Sequence, residues 1–164
     1  MIIILPIIVI VQTAFMSLGP FLLRRYNLYV PISIGSILII GGTFIASFSN
    51  GLTMYTIFFA GFMGIGNGIC YITPIIIGWE FFPKNKGFVS GVVMTGFGLA
   101  SFIYSFVAEA IVNPDKEKPS VVTTGGKIYP KDSEVAGRVP KMLWILSICW
   151  TGQAIIALIL IKRK

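Results

Sequence analysis

Among the uncharged polar side chains set within long apolar stretches, Gln12, Asn67, Tyr71, Thr73, Thr95 and Gln153 are the candidates for chemistry. Their chemistry is hydrogen bonding without charge. An amide both donates and accepts, and a phenol joins an apolar ring to a polar tip. Such groups either bond across neighbouring helices or converge on one cavity, where they make a path for a small polar solute. Asn67 and Tyr71 stand four residues apart, so they share a helix face. Phe97 lies beside a stripe of small residues on the next apolar run and is able to reach over it. Gln12 adds a possible hydrogen bond from the first run. The alternatives are ordinary packing for Phe97 and an interfacial aromatic for Tyr71. Acid–base and metal chemistry have little to use. The sequence has no histidine, no charged dyad inside an apolar run and no set of residues at metal-ligand spacing. No catalytic residue, metal site or cofactor is expected, and the chain is not expected to be an enzyme. Glu109 is the one ionisable residue inside an apolar run. It lies within a turn of a polar segment, so snorkelling toward water accounts for it better than a functional intramembrane carboxylate. Cys70 and Cys149 are each embedded in apolar runs and give no disulfide framework.

The elements that hold these side chains are long and apolar. Of 164 residues, 55% are hydrophobic and only 12% charged, against about 25% charged in soluble domains. Of the six acidic residues, only Glu80 and Glu109 fall outside 113–139. A soluble fold needs a wet face on its surface helices, and these tracts lack one. The expected fold is an all-α, polytopic membrane protein. A bilayer core needs roughly 20 apolar residues per helix, and five runs meet this: 2–22, 28–47, 52–78, 87–112 and 142–161. Strands of a membrane barrel would alternate every second residue, which these runs do not. The N-terminal run has no basic region before it and no small-residue cleavage site, so it does not resemble a signal or transit peptide.

Five antiparallel spans put the first and third breaks and the C-terminal end on one side. That side holds Arg24, Arg25, Lys84, Lys86, Lys162, Arg163 and Lys164, seven basic residues against Glu80 alone. The opposite side holds an uncharged turn and the loop 113–139, with six basic and four acidic residues once Lys141 is included. The richer side is expected to be cytoplasmic, or matrix-facing in a mitochondrial inner membrane. Plasma and organellar membranes both remain open. The stretch WEFFPKNKG (79–87) then reads as an inner hinge: Trp79 at the interface, Pro83 stopping the helix, Lys84 and Lys86 among headgroups. A net charge of +7 fits this topology. It does not point to nucleic acid, because no basic stripe with aromatic spacing is present. Within the polar loop, SVVTTGGKIYP places β-formers on both sides of Gly125-Gly126, which suits either a two-residue hairpin or a flexible linker.

Glycines pattern the middle of the chain. GFMGIGNG (61–68) lacks the spacing, preceding strand and Lys-Ser/Thr of a nucleotide loop. Ala60, Gly64 and Gly68 instead recur every fourth residue, a face for close helix contact, and Gly87, Gly91, Thr95 and Gly98 repeat it on the next helix. The two helices are expected to cross tightly through Gly64/Gly68 and Gly91/Gly98.

Residues 64–101, GIGNGICYITPIIIGWEFFPKNKGFVSGVVMTGFGLAS, resemble the fourth and fifth helices of major facilitator superfamily carriers. The likeness is to the oxalate/formate antiporter and monocarboxylate transporter group. It rests on Tyr71, Pro74, Trp79, Phe82, Pro83, Lys86, Gly87, Ser90, Gly91, Gly96, Phe97 and Gly98, with Glu80-Phe81 lengthening the Trp-to-Pro stretch by one residue. The five runs would then be helices two to six of a twelve-helix carrier, its N-terminal half. The resemblance implies that Tyr71 and Phe97 help cage a substrate, with Asn67 and Gln12 nearby, and that Arg24, Pro83 and Lys86 belong to the inner gate and hinge. One departure stands out. These carriers place G-x-x-x-D-R-x-G-R between helices two and three, and here GPFLLRRYN (19–27) supplies Arg24 but Leu23 for the aspartate and Tyr26 for the glycine. The implied function is part of a transporter for small organic anions, working by alternating access. Its partners would be the lipid bilayer, the anion, and a second carrier half or a larger membrane complex. The rival reading is a degenerate carrier remnant serving as a structural accessory subunit.

Overall fold

The computed structural model describes residues 4–49, 51–114, 121–123, 126–128 and 134–161. The first span is two helices, α1 (Ile4–Phe15) and α2 (Leu18–Arg25). Pro20 explains the break. It has no N–H to give the carbonyl of Met16, and its ring would clash with that carbonyl in a continuous helix. Arg24 and Arg25 occupy the last turn of α2, where positive charge complements the helix dipole. The second span is α3 (Tyr29–Ala46), with Pro31 in the first turn, where no donor is required.

The third span joins α4 (Leu52–Tyr55), a π-helical segment (Thr56–Phe62) and α5 (Met63–Phe81). Gly42 of α3 lets the π segment approach. A Cβ built at Gly42 would meet the Phe62 side chain and lie 2.8 Å from the Phe58 carbonyl oxygen. α5 tolerates Pro74 in its interior, and Thr73 returns its hydroxyl to the Ile69 carbonyl at 2.9 Å just before it. The fourth span is α6 (Lys86–Val112). A short antiparallel hairpin, β1 (Val121–Thr123) and β2 (Gly126–Ile128), follows in the polar loop. Its register pairs Thr123 with Gly126, so the connection is 124–125, one residue earlier than the Gly-Gly pair suggests; both connecting residues lie outside the described residues. A single turn, α7 (Glu134–Gly137), carries a Glu134–Arg138 ion pair of 2.6 Å and leads into α8 (Val139–Leu160). Pro140 in its first turn starts α8 three residues before the apolar run itself.

α5 is the centre of the bundle, and its glycines face different neighbours. A Cβ at Gly64 would lie 2.8 Å from Val11 of α1, and one at Gly68 would lie 2.7 Å from the Gln12 carbonyl oxygen. One at Gly66 would lie 2.6 Å from both the Gly35 carbonyl oxygen and Ile39 of α3. α2 closes on the same helix through Gly19, where a Cβ would run into the Ile69 carbonyl oxygen.

The expectation that α5 and α6 form the tightest pair is corrected here. Gly64 and Gly68 take α1, and nothing lies within 4 Å of a Cβ at Gly87, Gly91, Gly96 or Gly98. The physical reason is what α5 offers. Its small faces are used mainly by α1 and α3; toward α6 it offers Gly78, which takes Val89 near the hinge, and otherwise the large side chains of Tyr71 and Trp79. α6 therefore stands off, with Val89 its one buried residue. Small residues give close crossing only where the partner supplies a ridge to fill them.

At one end the helices are latched by an apolar cluster of Leu23, Leu28, Ile32 and Ile77, against which Ile76, Leu158 and Ile161 pack. The Tyr29 hydroxyl donates to the Ile161 carbonyl at 3.1 Å at the same end. The ends of α2, α5 and α8 thus sit together. Among the described residues five helices are long and apolar enough to cross a membrane: Ile4–Arg25, Tyr29–Ala46, Thr53–Phe81, Lys86–Val112 and Val139–Leu160. Many of their large apolar side chains are exposed, as lipid contact requires. The protein is an integral, multi-pass, all-helical membrane protein apart from its short loop hairpin.

Candidate functional site

A cavity of about 510 Å³ lies where α3, α5, α6 and α8 meet. α3 supplies Ser36, Ile39 and Ile40, and α5 supplies Met63 and Asn67. α6 adds Phe97, Ala100, Ser101 and Tyr104, and α8 adds Trp150, Gln153, Ala154 and Ala157. The walls are apolar and aromatic with a few hydrogen-bonding groups, the usual make-up of a small-molecule site. No charged residue lines it. The space follows from the fold: beyond the Val89–Gly78 contact α6 is held off α5 by large side chains, and this standoff leaves a volume between α6 and α8.

Two ring contacts bound the cavity along α6. The rings of Tyr71 and Phe97 stack at a centroid distance of 5.5 Å and 11°, and the Tyr71 hydroxyl lies 3.5 Å from Met94 Sδ. About two helical turns further on, Tyr104 meets Trp150 edge-on at 6.0 Å and 75°. Stacking across α5 and α6 fixes Phe97 as a wall, although it is 39% exposed. Among the described residues no hydrogen bond is made to the side chains of Asn67 or Gln153, so their amides have capacity for a solute. The hydroxyls of Thr73 and Thr95 are instead used within their own helices, on Ile69 and Gly91 carbonyls at 2.9 Å.

The residues singled out from sequence divide accordingly. Asn67 and Phe97 line the cavity, and Tyr71 backs Phe97 without lining it. Gln12 does not reach it; its backbone is packed against Gly68 on another side of α5. Ser36, Ser101, Tyr104 and Trp150 were not among the sequence candidates. The signal that marks part of the α8 wall is the spacing of Trp150 and Gln153, three residues apart in an apolar run.

Arg24, Pro83 and Lys86 lie at the latched end. Pro83 sits between the end of α5 and α6, next to Phe82, whose N–H closes on the Gly78 carbonyl at 3.0 Å. Across this hinge the Trp79 indole N–H donates to the Lys86 carbonyl and to Ser90 Oγ, each at 3.0 Å. The Lys86 ammonium lies 5.9 Å from the Trp79 ring centroid, a cation–π contact. Leu23, in the position where the resembled carriers hold an aspartate, is 3% exposed inside the apolar cluster. A carboxylate there would be desolvated among the aliphatic side chains of that cluster.

Comparison with known proteins gives transporters. Over 105 residues the chain is 30% identical to Apicoplast pyruvate carrier 1 of Toxoplasma gondii, covering 59% of this chain and 19% of that protein. Over 109 residues it is 24% identical to Monocarboxylate transporter 12 of Xenopus laevis, covering 66% of this chain and 24% of the other. The same transporter of Rattus norvegicus is 24% identical over 109 residues, with 66% of this chain and 22% of the other covered. The chain thus spans about a fifth to a quarter of the length of the curated relatives it matches. No family model matches the chain, and no solved structure matches it. At low identity and over part of its length, the chain is similar to membrane transporters of small organic acids, and these relatives are carriers and not enzymes.

Proposed function

We propose that this chain is part of a major facilitator superfamily carrier for small organic anions of the monocarboxylate type, pyruvate being the first candidate. The observation that carries the reading is the uncharged cavity bounded by the Tyr71–Phe97 stack and bearing the uncommitted amides of Asn67 and Gln153. Its volume of about 510 Å³ is more than enough to admit an organic acid of a few carbons. The hydrogen-bonding groups suit the carbonyl or hydroxyl of the substrate, and the aromatic walls suit its carbon chain. The cavity has no basic group, so the charge of the carboxylate is met by a second half of the carrier, which alternating access also needs. The test is to solubilise the protein from its own membrane in mild detergent, identify the membrane chain that accompanies or continues it, and reconstitute the assembly in liposomes. Saturable uptake of labelled pyruvate or lactate, reduced at least about ten-fold by Asn67→Leu, supports the reading.

One observation favours a second reading, an accessory subunit derived from a carrier. Leu23 sits in an apolar latch where the resembled carriers place a gating aspartate. A protein that no longer opens at that end has no use for the charge. Recovery of the chain in an assembly of unrelated subunits that takes up no organic acid supports this reading and overturns the first.

A further inference from the structure

The cavity is longer than pyruvate, and its levels differ in chemistry. Phe97 and Tyr104 both line it from α6, nearly two full turns apart, so they share a face and are separated by about 10 Å of rise. The short hinge makes α5 and α6 antiparallel, and the Tyr71–Phe97 stack sets their register. Asn67, one turn from Tyr71 on the side away from the hinge, therefore comes level with Ser101, one turn from Phe97 in the same direction. The Tyr104–Trp150 contact sets α8 against α6. From Trp150 the chain of α8 runs toward the latched end, which brings Gln153 to the same middle level as Asn67 and Ser101. Two amides and a hydroxyl thus meet halfway along the cavity. Beyond them, away from the hinge, the walls are the half-buried rings of Tyr104 and Trp150 and the thioether of Met63. The two rings meet edge-on, an arrangement that leaves ring surface free to take a third ring.

We infer that Tyr104 and Trp150 form a side-chain subsite for an aryl group, so that the cavity takes short carboxylic acids bearing an aromatic ring, and takes them more tightly than pyruvate or lactate. The inference rests on the reading that this cavity binds an organic acid. The hydroxyl or carbonyl of the acid is held at the middle level by Asn67, Ser101 and Gln153. Its side chain then points along α6 to Tyr104, about 4.5 Å of rise beyond Ser101. Pyruvate and lactate carry only a methyl group in that direction and leave the ring level vacant. Ala100, one turn before Tyr104 on the same face, has no side chain beyond Cβ and leaves room for a ring. An alkyl chain of equal size would fill the space without using the ring faces, which is why an aryl group is the better fit.

The test compares 3-phenyllactate with lactate, which has the same head group and lacks the ring. In the reconstituted assembly, with Cys70 and Cys149 replaced by alanine, Ala100→Cys places a thiol beside the proposed subsite. Half-maximal protection of that thiol from a water-soluble maleimide is expected at a phenyllactate concentration at least about ten-fold below that of lactate. In the Tyr104→Ala/Trp150→Ala double variant the ratio of the two concentrations should fall toward one, whereas Trp150→Phe should keep most of it. A variant that is merely misfolded would weaken both acids and leave the ratio standing. Equal protection by phenyllactate and lactate, or an unchanged ratio in the double variant, overturns the inference and leaves the organic-acid reading in place. Equal protection by 3-cyclohexyllactate and 3-phenyllactate overturns the aryl assignment. Protection by none of these acids overturns both the inference and the reading beneath it.

Discussion

Gly66→Ala and Gly91→Ala are the same substitution on two membrane helices, and the structure predicts opposite outcomes. At Gly66 the added methyl would lie 2.6 Å from the Gly35 carbonyl oxygen and 2.6 Å from Ile39 Cγ1, inside the α3–α5 crossing. The backbone oxygen cannot swing away as a side chain can, so the helices must separate. Overpacking of this kind costs about 1–3 kcal/mol. At Gly91 nothing lies within 4 Å of the new methyl. Both variants gain the same helix propensity, about 0.8–1.0 kcal/mol over glycine. That gain cancels in the comparison, so Gly66→Ala should be less stable than Gly91→Ala by the full overpacking term of about 1–3 kcal/mol. In folded-to-unfolded ratio this is roughly a five- to 150-fold difference. Tryptophan fluorescence of the chain in mild detergent, titrated with a denaturing detergent, reads it directly. Equal stability of the two variants would refute the assignment of Gly66 to a tight crossing and Gly91 to an open face.

Other outcomes follow from the same geometry. Leu23→Asp places a carboxylate in the Leu28–Ile32–Ile77 cluster and should cost at least about 3 kcal/mol, seen as loss of folded protein on gel filtration. Near-normal yield would mean the latch admits water or a cation. Trp79→Phe removes an indole N–H shared between the Lys86 carbonyl and Ser90 Oγ, and should lower stability by about 1 kcal/mol; Ser90→Ala, which leaves the Lys86 contact, should cost less. Cysteines placed at Lys84 and Lys127 in a cysteine-free background should react with an impermeant maleimide from opposite sides of sealed vesicles, and equal labelling from one side would end the five-span topology.

Much of this fold was legible because lipid imposes one simple rule. Backbone groups must bond internally, so each long uncharged run has to be a helix, and charged breaks such as RRYN and WEFFPKNK mark the turns. Helix ends were harder. Pro20 splits the first span and Pro140 starts the last one early, both through backbone effects that hydropathy does not register. Partner choice was not legible at all. Gly64/Gly68 and Gly87/Gly91 share the same four-residue spacing, yet one face is filled by α1 and the other is open. What decides is the bulk of Tyr71 and Trp79 on α5, which a one-helix pattern cannot reveal. Asn67 and Phe97 come to one cavity, with Tyr71 stacked on Phe97, because α5 and α6 are joined by a short hinge. Gln12 lies apart from that cavity because α1 packs along the earlier part of α5, on Gly64 and Gly68. Tyr104 and Trp150 were missed because their meeting depends on α8, which a long polar loop separates from α6.

The central claim, that an organic acid enters the cavity between α3, α5, α6 and α8, is tested most directly by substrate protection. Ser101→Cys places a thiol on the cavity wall in the cysteine-free background. In the reconstituted assembly it should react with a small water-soluble maleimide, and pyruvate should slow that reaction in a saturable way, while a cysteine at Ser105, one turn away and off the cavity wall, stays unaffected. A Ser101→Cys thiol that reacts at the same rate with and without saturating pyruvate, in an assembly that transports it, would contradict the claim.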